Sequence, residues 1–346
     1  MHGPTTIKDI ARAARVAPST VSRALRTDPR ISEETTALIC RLAQEMGYTP
    51  SLAARYLVTQ QTNTIGLVIS YISDPFASDV VIGVEQAARS HGYSVFLISS
   101  YRDAKREEEA VQSLHERRTD GIIVTGSQID EGYLARHNRS TQPVVLINCP
   151  AYPYSISTDN LAGARDAVTH LVQLGHRRIG YIANSGSQQA NLDRAAGYKA
   201  ILIHHELPLD DDLIVEGDGT LAGGKQAARR LLALSRPPTA VFCFNDMTAI
   251  GAMCAMCEAG LRVPADCSVI GFDDLELAAY CCPPLTTVRQ HRDQLGQRAM
   301  NMLHQLIQGW GDVEPEILPA KLVVRETTGP APMIVGSRKE VNQARV

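Results

Sequence analysis

Residues 6–25 of the chain read Thr-Ile-Lys-Asp-Ile-Ala-Arg-Ala-Ala-Arg-Val-Ala-Pro-Ser-Thr-Val-Ser-Arg-Ala-Leu. Apolar residues recur in its first half at helical spacing, which predicts a short helix over residues 7–14. A three-residue turn follows, and Pro18 suits the first position of a second helix that runs to Leu25. Two short helices joined by so tight a turn are typical of a helix-turn-helix unit.

A third helix completes this unit. Ser32 is a good N-cap with two glutamates behind it, and Gly47 is a suitable stop, so we predict a helix between them. Its expected apolar face consists of Ala37, Leu38, Leu42, Ala43 and Met46. One more short helix and a polar linker follow. We therefore expect a DNA-binding type of headpiece over residues 1–50 and a hinge with its linker over residues 51–63.

The charge changes sign along the chain. Residues 1–62 hold eight Lys or Arg and five Asp or Glu, whereas the full chain has a formal net charge of −3, so the remainder carries −6. This asymmetry is expected if only the N-terminal unit touches phosphates. The N-terminus lacks the apolar segment of a signal peptide, and no run approaches the ~20 apolar residues of a membrane span. We expect a cytoplasmic protein.

From Thr64 onward, short apolar segments alternate with amphipathic stretches. The apolar segments predict strands at 65–70, 94–99, 121–125, 144–147, 179–183, 239–244 and 268–272. Helices are predicted near 78–91, 103–118, 160–175, 192–205, 222–234, 245–260 and 290–309. Apolar strands separated by helices indicate parallel sheets covered on both faces. Because about 265 residues exceed one doubly wound sheet, we expect an α/β core of two doubly wound subdomains with a cleft between them.

The predicted core spans residues 64–329. We expect one subdomain to comprise residues 64–159 with about 289–318, and the other to comprise residues 160–288 with about 319–329. A loose tail is expected over residues 330–346. The predicted helix at 290–309 is amphipathic, and its pattern fits a dimer interface and simple core packing equally well.

The cysteines and glycines predict no metal or cofactor site. Eight cysteines are irregularly spaced, and we expect free thiols in a reducing compartment. Cys254 and Cys257 form a lone CxxC, short of the four ligands of a structural zinc site. No dinucleotide-binding or ATP-binding glycine motif follows a predicted strand.

The stretch at 6–25 strongly resembles the opening of lactose-repressor (LacI/GalR) family regulators. Core segments with the same resemblance lie at 74–76, 174–179, 245–252 and 263–274. The resemblance implies a core similar to periplasmic sugar-binding proteins, which bind a small molecule between two subdomains.

The second helix of a helix-turn-helix enters the major groove of DNA by its N-terminus. Small polar and basic residues there reach the bases, and the residues of this helix that would face DNA are Pro18, Ser19, Ser22 and Arg23. Arg23 can pair with a guanine or lie along a phosphate. The resemblance adds Thr20 as a backbone contact and Thr6 as a phosphate contact.

Residues 48–57 resemble the hinge helix of the same family. Such a helix is too short to be stable alone and would form when two copies pack over DNA. By resemblance, Leu57 is the wedge inserted between base pairs in the minor groove, and an ordinary linker leucine is the alternative. The same contact face would hold Ser51, Ala54 and Arg55.

Four residues of the core are candidate effector ligands. Asp246 follows a predicted strand, where its carboxylate could accept bonds from vicinal hydroxyls, or could simply cap the next helix. Arg194 matches the family arginine that reaches the ligand, and a surface ion pair is the alternative reading. Asp74 and Phe76 would come from the loop after the first core strand, and a simple helix-capping loop is the alternative reading. Asp273 and Asp274 are expected to brace the crossover between subdomains.

The chain departs from the family pattern at Gly219, where several relatives carry an aromatic residue that stacks on the ligand. Either the effector is larger or another residue supplies the apolar wall, with Phe76 and Tyr101 as candidates.

We interpret the chain as a ligand-responsive transcription regulator, expected to be a repressor. It would act as a homodimer on a pseudo-palindromic operator, with a sugar or sugar derivative as effector. A transporter-linked solute-binding protein would have a similar core but not the headpiece. An α/β enzyme with a DNA-binding appendage could pair Asp246 with His176 or His291, yet no nucleophile elbow or cofactor loop accompanies them.

Overall fold

The computed structural model describes residues 5–25, 28–48, 61–128, 142–185, 189–310 and 313–332. The chain divides into two compact units, the first ending at Thr62 and the second beginning at Asn63. Each unit is described separately below.

The first unit is a bundle of α1 (Ile7–Ala14), α2 (Pro18–Ala24) and α3 (Glu33–Glu45). Its core consists of Ile10, Ala11, Val21, Ala24, Ile39 and Ala43. The predicted face of the third helix was placed wrongly at its start, because Ala37 is exposed and Ile39 is fully buried. Ile39 continues the stripe of Leu42, Ala43 and Met46 at helical spacing, which turns Ala37 toward solvent.

The second unit begins with a six-stranded sheet of parallel strands. Its elements, in chain order, are β1 (Thr64–Ile69), α4 (Pro75–Ser90), β2 (Ser94–Ser99), α5 (Ala104–Glu116), β3 (Gly121–Thr125), β4 (Val144–Ile147) and β5 (Ser155–Thr158). The strand order within the described residues is β11-β5-β4-β3-β1-β2, where β11 (Glu316–Leu318) returns from the end of the chain. Because β3, β4 and the inner part of β1 are fully buried, they are apolar along almost their whole length.

A second parallel sheet follows. Its elements are α6 (Asn160–Gln173), β6 (Ile179–Asn184), α7 (Gln189–His204), a 3-10 turn (Asp211–Leu213), β7 (Ile214–Gly217), α8 (Leu221–Leu232), β8 (Ala240–Cys243), α9 (Asp246–Glu258), β9 (Ser268–Ile270) and α10 (Glu276–Tyr280). In the described part of the chain its strand order is β7-β6-β8-β9. The predicted fold class, a helical headpiece and two doubly wound α/β subdomains, is confirmed.

The chain then crosses back to the first sheet. An antiparallel pair, β10 (Thr287–Arg289) with β12 (Lys321–Val323), flanks the crossover, and between them lies α11 (Arg292–Gln308). Leu295, Ala299 and Leu303 of α11 are fully buried in the core of the first subdomain. The amphipathic pattern of α11 is therefore explained by core packing.

The segment predicted to be a loose tail is anchored at its start. The amide of Ala331 donates to the carbonyl of Leu174 at 2.9 Å. The remainder of the tail, residues 333–346, lies outside the described residues. Within the described ranges, no helix is long and apolar enough to cross a membrane.

His176 predicts a pH dependence of stability. Its ring is fully buried, with Nδ1 2.9 Å from Thr239 Oγ1 and Nε2 3.1 Å from both Ser268 Oγ and the Gly329 carbonyl. Burial lowers the pKa of His176, so the unfolded chain takes up a proton at a higher pH than the folded chain. The free energy of unfolding should therefore fall as the pH drops below about 6.5.

Urea unfolding at about pH 7.5 and about pH 5 measures this effect. We expect His176→Gln to reduce the acid loss of stability, whereas His205→Gln, which changes an exposed imidazole, should leave it unchanged. His170 also has a pKa lowered by burial, so part of the loss should persist in the first variant. An equal loss in both variants and the parent chain would contradict the assignment to His176.

Candidate functional site

The second helix of the headpiece separates a polar face from a buried one. Pro18, Ser19 and Arg23 are exposed, and Thr20 and Ser22 are half-buried at the edge of the same helix. Its opposite face, Val21 and Ala24, closes the core. The helix thus offers the shape and polarity that major-groove binding requires, with a basic residue in its last turn.

Thr6 lies at the N-terminus of α1, where helix amides favour an anion. Its amide and its hydroxyl both donate to Oδ2 of Asp9, at 3.0 and 2.6 Å. These bonds lower the pKa of Asp9. A DNA phosphate held by Thr6 would therefore have to displace the Asp9 carboxylate from these two donors.

The predicted hinge contacts, Ser51, Ala54, Arg55 and Leu57, lie outside the described residues and stay predictions.

The second unit contains a cavity of about 730 Å³, its open mouth included. Residues that follow the carboxyl ends of strands in both sheets line it, as expected for parallel α/β folds. The charged, amide and aromatic side chains that line it include Asp74, Phe76, Arg102, Arg194, Asn245, Asp273 and Gln290.

Arg194 reaches this cavity from α7 while remaining almost wholly buried, at 3% exposure. Its Nε donates to Asn160 Oδ1 at 2.9 Å and its Nη1 to the Phe244 carbonyl. The guanidinium carbon lies 3.7 Å from the ring centroid of Phe272 and 4.6 Å from that of Phe244. Two aromatic faces and two acceptors hold the cation in one orientation.

Asp273 faces Arg194 across the cavity floor. Its Oδ1 lies 3.9 Å from Arg194 Nη1 and accepts a bond from Gln290 Nε2 at 2.6 Å. Burial raises the pKa of Asp273 well above its ordinary value, and the Arg194 charge opposes that rise. The pair offers a carboxylate acceptor beside a guanidinium donor, the combination suited to hydroxyl groups.

The structure corrects the placement of Asp246. Its side chain is fully buried behind the cavity wall, where it accepts bonds from the Leu275 amide at 2.7 Å and from the Thr287 hydroxyl. Neither Asp246 nor Asp274 is among the cavity-lining residues. Asp246 is the first residue of α9, so its neighbour Asn245 is the residue that stands at the end of the strand.

Asn245 and Asp273 line the cavity, although the sequence analysis did not propose Asn245 as an effector ligand and expected Asp273 only to brace the crossover. Asn245 caps α9 through a bond from the Thr248 amide at 2.8 Å and donates to the Gly219 carbonyl at 3.0 Å. The sequence contained a signal for both, because Asn245 is the second residue after β8 and Asp273 is the third residue after β9, and both strands are apolar. Asp274 braces the crossover as expected, accepting from Arg289 at 2.6 Å and from Arg325 at 2.5 Å.

Asp74 and Phe76 both line the cavity. The Asp74 carboxylate accepts a bond from the Phe76 amide at 3.0 Å, so it also caps α4. Burial raises the pKa of Asp74. Tyr101, the other candidate for an apolar wall, is 52% exposed and stands edge-on to Tyr71 rather than lining the cavity.

The candidate acid-base pairs for an enzyme are not brought together in the described structure. Each oxygen of Asp246 has a partner in the bonds described above, and His176 is bonded to Thr239, Ser268 and Gly329. His291 lies near the crossover beside Arg292.

Comparison with known proteins agrees with both units. Residues 6–51 match the model of bacterial regulatory proteins of the lacI family, and residues 168–328 match that of the periplasmic binding protein-like domain. The HTH-type transcriptional repressor CytR of Escherichia coli K12 is 34% identical over 331 residues, which cover 94% of this chain and 97% of CytR. The chain belongs to the LacI family.

Solved structures of family members are also similar to this LacI-family chain. A lac repressor dimer bound to operator and the anti-inducer ONPF is 32% identical with a TM-score of 0.88, covering 94% of this chain and 100% of that one. The regulator CelR in complex with cellobiose is 28% identical with a TM-score of 0.71, covering 93% and 99%. The chain is thus a transcriptional repressor of this family, with a DNA-binding headpiece and a ligand-binding core.

Proposed function

We propose that the chain binds a pseudo-palindromic operator as a homodimer and that a sugar or sugar derivative in the core cavity controls this binding. One observation carries the proposal: polar side chains from both α/β sheets converge on a single cavity, centred on Arg194 and Asp273. A ligand that contacts both subdomains binds one relative arrangement of them better than another, which gives it control over the repressor.

The relatives support the choice of partners. The lac repressor structure holds operator DNA as a dimer together with an anti-inducer, and the CelR structure holds a disaccharide. In this chain, Asp273 and Arg194 supply the acceptor and donor that vicinal hydroxyls would use, and Phe76 and Phe244 supply apolar surface for the ring.

Binding to a library of genomic DNA fragments, repeated with a panel of sugars, sugar acids and nucleobases, tests the proposal. We expect tight binding to one palindromic motif and a change of affinity with one compound. Sequence-specific binding that no compound changes would contradict the effector role of the cavity. A folded dimer without sequence-specific binding would contradict the operator role.

Arg23 should carry a large part of operator recognition. Replacing it with glutamine removes an exposed cation that can pair with a guanine, and we expect operator affinity to fall by about 10- to 100-fold. Fluorescence anisotropy with the selected operator measures this loss.

Arg41→Gln on α3 is the matched control, since it removes one exposed positive charge outside the predicted DNA-facing set. It should weaken binding by a smaller factor that is similar for operator and random DNA. Equal losses in the two variants would mean that Arg23 acts only through its charge.

A further inference from the structure

Arg102 joins the two subdomains across the mouth of the cavity. It follows β2 of the first sheet, and its Nη1 donates to the carbonyl of Asp218, at the end of β7 in the second sheet, at 2.6 Å. The same side chain lines the cavity. One end of the guanidinium is therefore fixed, and its remaining donors are oriented by that bond.

Gly219 makes the room that this guanidinium occupies. A Cβ at position 219 would lie 3.3 Å from Arg102 Nη2, 3.4 Å from Arg102 Nη1 and 3.4 Å from Asn184 Oδ1. The residue has a φ of +77°, a conformation that favours glycine. The planar cation of Arg102 thus stands over the glycine, in the space where a side chain at this position would begin.

Some hydrogen-bond donors of Arg102 have no acceptor within the described structure. Its single hydrogen bond is the one to Asp218, it makes no ion pair with a described carboxylate, and its shielded Nε has no partner. Arg194, by contrast, has two acceptors and lies close to Asp273. The Nη2 of Arg102 also has no partner among the described residues, and because this side chain lines the cavity, Nη2 can donate to a bound ligand.

Asn184 adds a second unsatisfied group at the same place. Its side-chain amide is 2% exposed, and neither its nitrogen nor its oxygen has a partner, although its backbone is bonded to Asn191. The amide lies against Gly219, as the distance to position 219 shows. The atom that faces position 219 is the amide oxygen, both atoms of the amide are shielded, and Asn184 does not line the cavity, so the donor available to an oxyanion there is the fork of Arg102.

Asp74 is the nearby carboxylate that could neutralise Arg102 instead. Its oxygen is held by the amide of Phe76 at the start of α4, and it forms no ion pair with Arg102. The Arg102 charge opposes the rise that burial causes in the pKa of Asp74 and contributes to the lowered pKa of Asp218, so these carboxylates compensate part of the Arg102 charge without pairing with it directly.

We propose that the effector of this repressor carries a carboxylate or phosphate group, which Arg102 binds in the cavity. The inference rests on the proposed effector role of the cavity and narrows the ligand to an acidic sugar or sugar phosphate. The oxyanion of the bound effector would accept from Nη2 of Arg102, and the hydroxyls of the effector would lie toward Arg194 and Asp273.

Matched pairs of compounds test this with the full-length protein. The probes are D-glucose and D-glucuronate, D-galactose and D-galacturonate, D-glucose and its 6-phosphate, and D-ribose and its 5-phosphate. Calorimetric titration gives the Kd of each. We expect one acidic member to bind at least about 10-fold more tightly than its neutral parent, and the carboxylate and phosphate arms identify which oxyanion is used.

Arg102→Gln should weaken that acidic compound by roughly 10- to 100-fold, and Arg102→Lys by less, because lysine keeps the charge without the fork. Arg106→Gln is the control, since Arg106 is exposed, lies one turn further along the chain and does not line the cavity. It should leave the Kd unchanged.

The outcomes separate this proposal from the proposed function. Binding of a neutral sugar, as tight as its acidic counterpart and indifferent to Arg102→Gln, overturns the oxyanion site and leaves the effector role intact. An acidic compound that binds equally to the Arg102→Gln protein also overturns it. Absence of binding by every member of the panel contradicts both proposals.

Discussion

Replacing Arg194 with methionine is expected to lower the free energy of unfolding by about 3–5 kcal/mol near neutral to basic pH. The guanidinium is 3% exposed and is the cation nearest the buried Asp273 carboxylate. Without it, the carboxylate is left in a site of low polarity without its countercharge, and Asn160 and the Phe244 carbonyl lose their donors. Removal of one member of a buried pair is costly for this reason.

The size of this loss should depend on pH. Burial raises the pKa of Asp273 above that of the unfolded chain, so stability falls as the pH rises through the window between the two values. Removing the Arg194 charge raises the pKa of Asp273 further and extends the fall to higher pH. The difference between parent and variant should therefore be smallest at about pH 5 and largest at about pH 8.

Urea unfolding at these two pH values measures the difference. Arg229→Met serves as the control, because Arg229 is 61% exposed and paired with Glu258 on the surface. It should change stability by at most about 1 kcal/mol. A pH-independent loss in Arg194→Met would show that packing against the two phenylalanines, and not the pairing with Asp273, is what the arginine contributes.

Gly251→Ala is expected to destabilise the second subdomain by about 2–4 kcal/mol. Gly251 lies on α9 where that helix meets α8, and an added Cβ would overlap the carbonyl oxygen of Leu221 and lie 2.8 Å from the amide nitrogen of Lys225. Both neighbours are helix backbone, which cannot move aside as a flexible side chain would. The two helices would have to separate, and their buried contacts would loosen.

The control on the same helix is Cys257→Ala, which changes an exposed side chain and should leave the urea midpoint within about 0.5 kcal/mol of the parent. Ordinarily alanine stabilises a helix relative to glycine by about 1 kcal/mol, so the steric term must exceed that gain. A stabilised Gly251→Ala protein would show that α8 and α9 can separate at little cost.

The sequence pattern predicted the long elements well and the short ones poorly. The strands at 94–99, 121–125 and 144–147 were predicted with the bounds that the structure has. β5 was missed, since Ser-Ile-Ser-Thr has no apolar run although all four residues are buried. β10, β11 and β12 are three residues long and pair with strands far away in the chain, so no local periodicity marks them.

The candidate site was predicted in the same uneven way. Arg194, Asp74 and Phe76 line the cavity, as the sequence reading expected of effector ligands, though their contacts with a ligand stay predictions. From the sequence, Asp246 was proposed as an effector ligand in place of Asn245. A charged residue after a strand is an obvious ligand candidate, whereas an uncharged residue that caps the next helix is not. Arg102 was not singled out, since nothing near it in the chain shows that Gly219, more than a hundred residues later, leaves space for its guanidinium.

The sequence alone determined the headpiece and the alternation of strands and helices. Their signals are local, because helical spacing, caps and apolar runs act over one or two turns of chain. The tertiary structure alone decided which polar groups share the cavity. Arg102, Arg194, Asn245 and Asp273 come from four separate segments of the chain, and they meet because strands of both parallel sheets direct their carboxyl ends toward the same cavity.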